Sequence, residues 1–198
     1  MDWFTEYRDE LEEGTITPRS KASREWFLGK LKSIGDSSVD RNAMLKSDSL
    51  SPASKTIAGK MYMFWYLPKH RETLPYFDKF PLVLPLEITG QTLTALNLHY
   101  LPIDLRQSLF YSLLNRVNNN KYDESTVMQV TYETLKGSGA MKAHRPCIKK
   151  YLAGRIMGNI VNVPAQEWEI AVHLPTALWR KQNENYVHNR SREQIRNF

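Results

Sequence analysis

The sequence has little of what marks a secreted, membrane-bound or disulfide-stabilised protein. Cys147 is its single cysteine, so no internal disulfide is possible and a reducing compartment fits the composition. No apolar run approaches the roughly 18 residues of a membrane-spanning helix, and we expect no membrane partner. The acidic N-terminal stretch MDWFTEYRDELEEG has no apolar signal-peptide core, which makes export by that route unexpected.

Motifs that would indicate catalysis or metal binding are missing as well. The five histidines are scattered, and none pairs with another ligand at the spacing of a zinc site. His144 and Cys147 lie close in sequence, but no third group is evident that would orient them as base and nucleophile. There is no glycine-rich phosphate loop and no GxSxG motif. We therefore predict no catalytic residue, no metal, no cofactor and no small-molecule substrate, so a non-enzymatic binding protein is expected.

Charge, in contrast, is abundant and unevenly distributed. The chain carries 27 Lys and Arg against 21 Asp and Glu, a net charge of +6. Residues 1–13 hold six acids and one arginine (−5), whereas residues 136–198 hold eleven Lys and Arg and four acids (+7). Such a basic segment suits a polyanion or an acidic protein surface, and ordinary surface charge is the alternative.

The N-terminal third is predicted to contain two helices and a polar arm. Residues 1–13 favour a short acidic helix whose large aromatics dock either on the chain's own body or on a partner subunit. Arg19–Ile34 favours a basic amphipathic helix, suited to nucleic acid, a membrane surface or a partner's groove, or else packed on its own core. Gly35–Lys60 is serine-rich and polar, which is typical of a linker or extended arm.

The densest apolar part of the chain holds three strand-like runs. They are Met61–Leu67, Phe80–Glu87 and Leu93–Leu101, and their order predicts an antiparallel meander. Pro81 and Pro85 place the second strand at an edge or at a bulge. Aromatic residues of this region could stack bases, but their consecutive spacing favours core packing instead; they are Tyr62, Phe64, Trp65, Tyr66, Tyr76 and Phe77.

The remainder of the chain is predicted to be largely helical. Pro102 opens a helix with a wide leucine stripe. Residues 126–135 are ambiguous between strand and helix. Helices are then expected over Pro146–Ile160 and Pro164–Leu174, and a polar helix over Pro175–Phe198 that ends in an exposed basic tail.

Together these patterns predict an α+β fold. A small antiparallel, partly barrel-like sheet over about residues 60–101 is packed by helices, with an extended N-terminal arm and a helical C-terminal part. We divide the chain into N-terminal helices and arm (1–59), an α+β core domain (60–180) and a basic C-terminal tail (181–198).

Several stretches resemble virion proteins of large contractile-tailed phages of the T-even type. They are KMYMFxYxPK, LPYFDxFPLVLPLE, LNLHYLP, RPCIKKYL and PAQEWEIAVHLP, spread over about residues 59–180. Within that group the chain is similar to the DNA-end protectors, small virion proteins associated with the terminus of the packaged genome. The resemblance implies a virion protein made in the host cytoplasm, with other virion proteins as its partners.

Two hypotheses follow. In the first, the protein contacts the double-stranded DNA terminus in the neck or tail through basic residues on phosphates. In the second, it is a purely structural baseplate or tail hub component whose arms wrap neighbouring subunits without binding DNA. The candidate contacts to nucleic acid or a partner are Arg19, Lys21, Arg24, Lys30, Lys32, Lys142, Arg145, Lys149, Lys150, Arg155, Arg180, Lys181, Arg190 and Arg192, with Trp3, Phe4 and Tyr7 as candidates for partner docking.

Overall fold

The computed structural model describes residues 2–32, 34, 39–114 and 144–197. Within these residues the helices are α1 (Trp3–Glu13), α2 (Lys21–Leu31), α3 (Arg41–Met44), α4 (Ile103–Leu114), α5 (Trp168–His173) and α6 (Glu184–Arg196). The strands are β1 (Ser51–Ala53), β2 (Met61–Tyr66), β3 (Phe77–Asp78), β4 (Leu82–Thr89), β5 (Thr92–Asn97), β6 (Ile148–Leu152), β7 (Ile156–Val163) and β8 (Trp179–Arg180). The ambiguous segment 126–135 lies outside the described residues.

The main sheet has six antiparallel strands in the order β1-β7-β2-β4-β5-β6, and β3 pairs with β8 in a separate ribbon. The predicted meander of β2, β4 and β5 and the α+β fold class are confirmed. In the described residues the end strands β1 and β6 do not pair with each other, so the sheet is not a closed barrel. The register of β4 against β5 shifts between Pro85 and Glu87, which is the predicted bulge. β4 lies between β2 and β5 inside the sheet rather than at an edge.

The helix predicted over Pro146–Ile160 is wrong, because this stretch forms β6 and β7. β6 adds to the sheet beside β5, and β7 lies between β1 and β2. Gly158 has a φ of +69°, a backbone angle that glycine adopts without strain, where the register of β2 against β7 shifts. Pairing with neighbouring strands therefore outweighs a local helical pattern that three isoleucines weaken.

The N-terminal segment also contributes to the sheet. Pro52 of β1 lies opposite Val161 of β7, so part of the stretch predicted as a polar arm is a strand. Three apolar side chains of that stretch, Val39, Met44 and Leu50, are buried in the main core. They are well separated in sequence, and for that reason they give no periodic signal.

The helices predicted near the N-terminus and after Pro102 agree with the structure within a few residues, whereas the helix predicted over Pro175–Phe198 begins only at Glu184, because Trp179–Arg180 pairs with β3 as β8. Asp2 caps α1 by accepting a hydrogen bond from Phe4 N (3.1 Å), and Ser20 caps α2 in the same way from Ser23 N (3.1 Å). The leucine-rich helix is α4, and α5 lies within the stretch predicted from Pro164. α6 covers most of the predicted basic tail, and it is attached to the body through the fully buried Val187.

Apolar side chains fill both faces of the sheet, as the continuous run of β2 predicts. Met61 and Met63 join the main core with residues of the helices, whereas Tyr62 and Phe64 join a second cluster on the opposite face. Most aromatics of this region are thus core residues. Tyr76 is half-buried and is an exception that matters for the site below.

A buried polar network lies between the sheet and the C-terminal segment. Asp78 Oδ1 accepts hydrogen bonds from Phe80 N (2.9 Å) and Leu178 N (3.0 Å). Its Oδ2 accepts from His99 Nδ1 (2.7 Å) and from Asn97 Nδ2 (3.2 Å). Burial alone would raise the pKa of Asp78, but His99 and these hydrogen bonds together lower it, so the carboxylate is charged.

Replacing this carboxylate by its neutral amide is expected to destabilise the fold strongly. In Asp78→Asn, an amide NH₂ faces groups that donate hydrogen bonds, so buried donors lose their acceptor. We expect the free energy of unfolding, measured by urea denaturation, to fall by about 3–5 kcal/mol. The exposed Glu87→Gln is the matched control and should change it by less than about 0.5 kcal/mol. An equal effect of the two substitutions would contradict the role of Asp78.

Two buried histidines, His99 and His173, and the half-buried His188 predict a loss of stability in mild acid. Burial lowers the pKa of His173 and of His188 from 6.5 to about 4, and it lowers that of His99 despite the opposing effect of Asp78. Between pH 6.5 and 4 the unfolded chain binds these protons and the folded chain does not, so stability decreases as the pH falls. At about 1.4 kcal/mol per pKa unit, we expect a loss of roughly 3 kcal/mol or more from pH 7 to pH 4.

Urea titrations at several pH values would measure this dependence. His173→Gln should flatten the curve below pH 6.5, because it removes one proton that only the unfolded state binds. The exposed His70 serves as the control, and His70→Gln should leave the curve unchanged. A slope that is the same in both variants would show that His173 does not carry the effect.

Candidate nucleic-acid interface

A groove of about 340 Å³ lies where β6 meets the segment between β2 and β3. We name it the aromatic–lysine groove, and its lining residues are Tyr66, Pro68, Leu74, Pro75, Tyr76, Asp78, Tyr100, Ile148, Lys149, Lys150 and Tyr151. Tyr66, Tyr100 and Tyr151 are buried, so the half-buried ring of Tyr76 is the one that this concave site presents beside the two adjacent lysines. This pairing is typical of surfaces that bind nucleic acid.

Aromatic rings continue from the groove to the surface. The ring centroid of Trp179 lies 4.8 Å from that of Tyr100, and Tyr100 lies 6.0 Å from Tyr76. Tyr76 in turn lies 6.0 Å from Tyr186 of α6. Tyr186 is 42% exposed, so its ring is the accessible end of this aromatic series.

Lys149 lies at the base of the groove with its ammonium group over a ring. Its Nζ is 3.9 Å from the centroid of Tyr100, a distance at which the ring face attracts a cation. Burial lowers the pKa of Lys149 from 10.5 to about 8. The side chain is therefore mostly charged at neutral pH and loses its charge in mildly alkaline solution.

Lys181 holds one wall of the groove in place. It has a φ of +71°, an uncommon angle for a residue with a side chain. Its Nζ donates hydrogen bonds to the carbonyl oxygens of Glu72 (2.6 Å) and Leu74 (2.9 Å). These contacts fix the segment that precedes Tyr76, so Lys181 positions the groove rather than presenting a mobile charge.

Two arginines extend the positive charge beyond the groove. Arg145 and Arg190 line another cavity of about 350 Å³, and the charge of Arg190 opposes the burial-induced rise in the pKa of Tyr76, a residue of the groove. Arg190 forms an exposed ion pair with Glu193 (2.6 Å), which costs little to exchange for another anion. We name the combined area the basic–aromatic surface: Tyr76, Arg145, Lys149, Lys150, Lys181, Tyr186 and Arg190.

The basic residues predicted in and near α2 do not join this surface as one patch. Arg24 lies over the ring of Tyr111 (3.7 Å to the centroid), and Arg19 NH2 donates to the carbonyl of Ala165 (2.9 Å). Lys21 is paired with Glu25 (3.7 Å), and Lys30 forms an ion pair with Glu10. Lys32 is exposed at the end of α2.

The remaining predicted basic residues have separate locations. Arg192 forms an ion pair with Asp104 (2.9 Å), whereas Arg180 is exposed in β8. Arg155 is exposed in the turn between β6 and β7, where its carbonyl accepts a hydrogen bond from Leu67 N (3.1 Å). Lys142 lies outside the described residues.

The aromatics proposed for partner docking pack inside the chain to different degrees. Phe4 and Tyr7 are buried in the main core, and Trp3 is half-buried against it, with its ring centroid 5.5 Å from that of Tyr7. Of the two alternatives open from the sequence, the structure therefore shows docking on the chain's own body for Phe4 and Tyr7.

One buried constellation has the connectivity of an acid–base relay. Asp78 binds His99 Nδ1, and Thr176 Oγ1 donates to His99 Nε2 (2.9 Å). All three side chains are nearly or fully buried, with Thr176 and His99 at 0% exposure. A substrate would have no access to the hydroxyl, so the geometry supports a structural role.

The other candidate centres are similarly inert in the described residues. The Cys147 thiol is buried and donates to the His144 carbonyl (2.9 Å), and burial raises its pKa to about 12, which disfavours the reactive thiolate. Among the described residues no cluster of three or more His, Cys, Asp or Glu side chains could hold a metal ion. No helix in the described ranges has both the length and the apolarity to cross a membrane.

Sequence reasoning missed two members of the site, Tyr100 and Tyr186. Tyr100 follows β5 in a short 3-10 turn, and Tyr186 belongs to a helix with few apolar residues. The sequence does place Tyr186 near basic residues of the C-terminal segment. Only the fold, however, brings the rings of Tyr100 and Tyr186 beside that of Tyr76.

The chain was compared with protein-family models, curated proteins and solved structures. A family model described as the phage T4 terminal DNA protecting protein matches residues 3–195. No match was found among the curated proteins or among the solved structures. The family match spans both the central sheet and the segments that form the basic–aromatic surface.

Proposed function

The chain belongs to the phage T4 terminal DNA protecting protein family, and from this membership we propose that it binds the terminus of the linear phage genome. The family match over residues 3–195 is the observation that carries the proposal. The protein acts in the virion by binding alone, without a catalytic step. Its other partners are virion proteins of the neck or tail at the place where the DNA end is held.

The basic–aromatic surface has the chemistry that a duplex end requires. Phosphates near a terminus would accept hydrogen bonds from Arg145, Lys150 and Arg190, whose positive charges would attract them. The last base pair of a duplex exposes one stacking face that has no neighbour, and an accessible aromatic ring such as Tyr186 can cover it. A continuous duplex has phosphates but no exposed base-pair face, so this second contact would distinguish an end from the interior.

The alternative is a purely structural tail or baseplate component without DNA binding. The acidic residues of α1 and the basic surface of the C-terminal half would then both contact protein subunits. The two hypotheses differ in a single measurable property, namely binding to naked duplex DNA and its dependence on a free end.

Binding to matched DNA molecules tests the proposal. We expect the purified protein to bind a blunt-ended linear duplex more tightly than a closed circle of the same sequence. With about three phosphate contacts, affinity should fall roughly 40-fold between 50 and 200 mM salt. No binding at low salt would overturn the proposal, and binding that is indifferent to ends would reduce it to a nonspecific phosphate contact.

Charge removal at the surface provides the residue-level test. The double variant Lys150→Gln/Arg190→Gln removes two exposed charges from the basic–aromatic surface and should weaken binding to the blunt-ended duplex on the order of tenfold or more. The matched control Lys46→Gln/Lys55→Gln removes two exposed charges elsewhere. Equal losses in the two variants would show that net charge, and not this surface, governs binding.

Lys149 predicts a pH dependence of the same binding. Because its pKa is lowered to about 8 by burial, it is charged at pH 7 and largely neutral at pH 9. Affinity for the blunt-ended duplex at about 0.1 M salt should therefore drop by roughly tenfold across this interval, the contribution of about one phosphate contact. Lys149→Arg keeps the charge and should abolish the drop. A drop of the same size in that variant would assign the pH dependence to another group.

A further inference from the structure

A second cavity lies away from the basic–aromatic surface. It has a volume of about 610 Å³ and is lined by residues of α1, the loop before α2, the segment that leads into β1 and the start of α5. None of its lining residues belongs to the basic–aromatic surface. Its volume is that of a site for a small ligand or for one or two side chains of a partner.

Glu167 is one of the residues that line this cavity, and one of its carboxylate oxygens has no donor among the described residues. The residue is 2% exposed, and its Oε1 forms an ion pair with Arg8. Its Oε2 is buried and has no hydrogen-bond partner among the residues that the structure describes. A buried carboxylate oxygen without a donor is costly, so a ligand that donates to Oε2 gains that interaction without displacing another.

The neighbouring Glu169 does not offer the same opportunity. Its Oε1 accepts hydrogen bonds from Ser23 Oγ (2.7 Å) and Tyr111 OH, and its Oε2 accepts one from Arg19 N (2.6 Å). Both oxygens are therefore satisfied within the chain. Of these two glutamates, only Glu167 has a carboxylate oxygen without a hydrogen-bond donor among the described residues.

The rim and walls define what the ligand should be. Two exposed acids, Glu12 and Asp48, stand at the rim, so the cavity has four carboxylates against Arg8 and Arg19. This excess disfavours an anion and favours a cation. Five apolar residues also line the cavity, beside neutral polar ones, and suit an aliphatic stem; they are Leu11, Ile16, Pro18, Pro164 and Ile170.

We propose that this cavity binds an alkyl cation, an ammonium or guanidinium group on an aliphatic stem, with Glu167 Oε2 as its acceptor. The same chemistry is offered by a lysine or arginine side chain of another protein chain and by a free polyamine. The site is separate from DNA binding, and it would remain if the proposed DNA-end function failed.

Calorimetric titration of the full chain with three probes tests this site. N-acetyl-arginine methylamide represents a protein side chain, spermidine represents a free polyamine, and N-acetyl-norleucine methylamide is the neutral control. We expect saturable binding of at least one cation and none of the neutral probe. Whichever cation binds identifies the source of the ligand. Absence of binding by both cations, or equal binding of the neutral probe, overturns the proposal.

Two variants locate the binding. Glu167→Gln removes the charge at nearly constant shape and should weaken cation binding about tenfold or more, as expected for a lost charge-assisted hydrogen bond. Asp48→Asn at the exposed rim leaves the core intact and should weaken it about two- to threefold. Glu87→Gln lies outside the cavity and should have no effect. Unchanged affinity in both cavity variants, at an unchanged melting temperature, would contradict the assignment.

Discussion

The buried carboxylate of Asp78 is the interaction on which the arrangement of the molecule depends. It accepts hydrogen bonds from three parts of the chain, at Phe80, at Asn97 and His99, and at Leu178. Through His99 the network continues to Thr176 and to His188 of α6. A charged group with no exposure to water is tolerated only because each of these donors is in place. The same residue lines the aromatic–lysine groove, so the polar core and the proposed DNA surface share a wall.

Much of the central fold could be predicted from the sequence, and the reasons are local. The runs around Phe64 and Val83 are short and apolar on consecutive residues, and the leucines of α4 repeat at helical spacing, so each element has a signal within its own segment. β6 and β7 had no such signal. Their stretch has residues compatible with a helix, and it becomes two strands because β5 and β2 offer free edges. β1 is too short to show alternation at all.

The sequence predicts which residue types form the candidate site, but not which individual residues belong to it. Fourteen basic residues were candidate contacts by charge alone. Tertiary contacts then distinguish among those that the structure describes. Arg24 covers the ring of Tyr111, and Arg192 pairs with Asp104, so these two are committed within the chain. Lys149 is singled out by Tyr100, a ring distant in sequence. Burial and contact partners are properties of the assembled fold, and they cannot be predicted from the positions of charged residues along the sequence.

The order of the strands in the sheet has a consequence for the synthesis of the protein in the host cell. β2 lies between β7 and β4, and β1 pairs with β7 as well, so strands from the first third of the chain need a partner that ends at Val163. At translation rates of about 5–20 residues per second, the apolar segment MYMFWY waits roughly 5 to 20 seconds for that partner. Consecutive aromatic and aliphatic residues without charge are the kind of segment that aggregates when exposed. Completion of the sheet is thus delayed until late in translation, and during that interval the edge of β2 that later pairs with β7 lacks its partner.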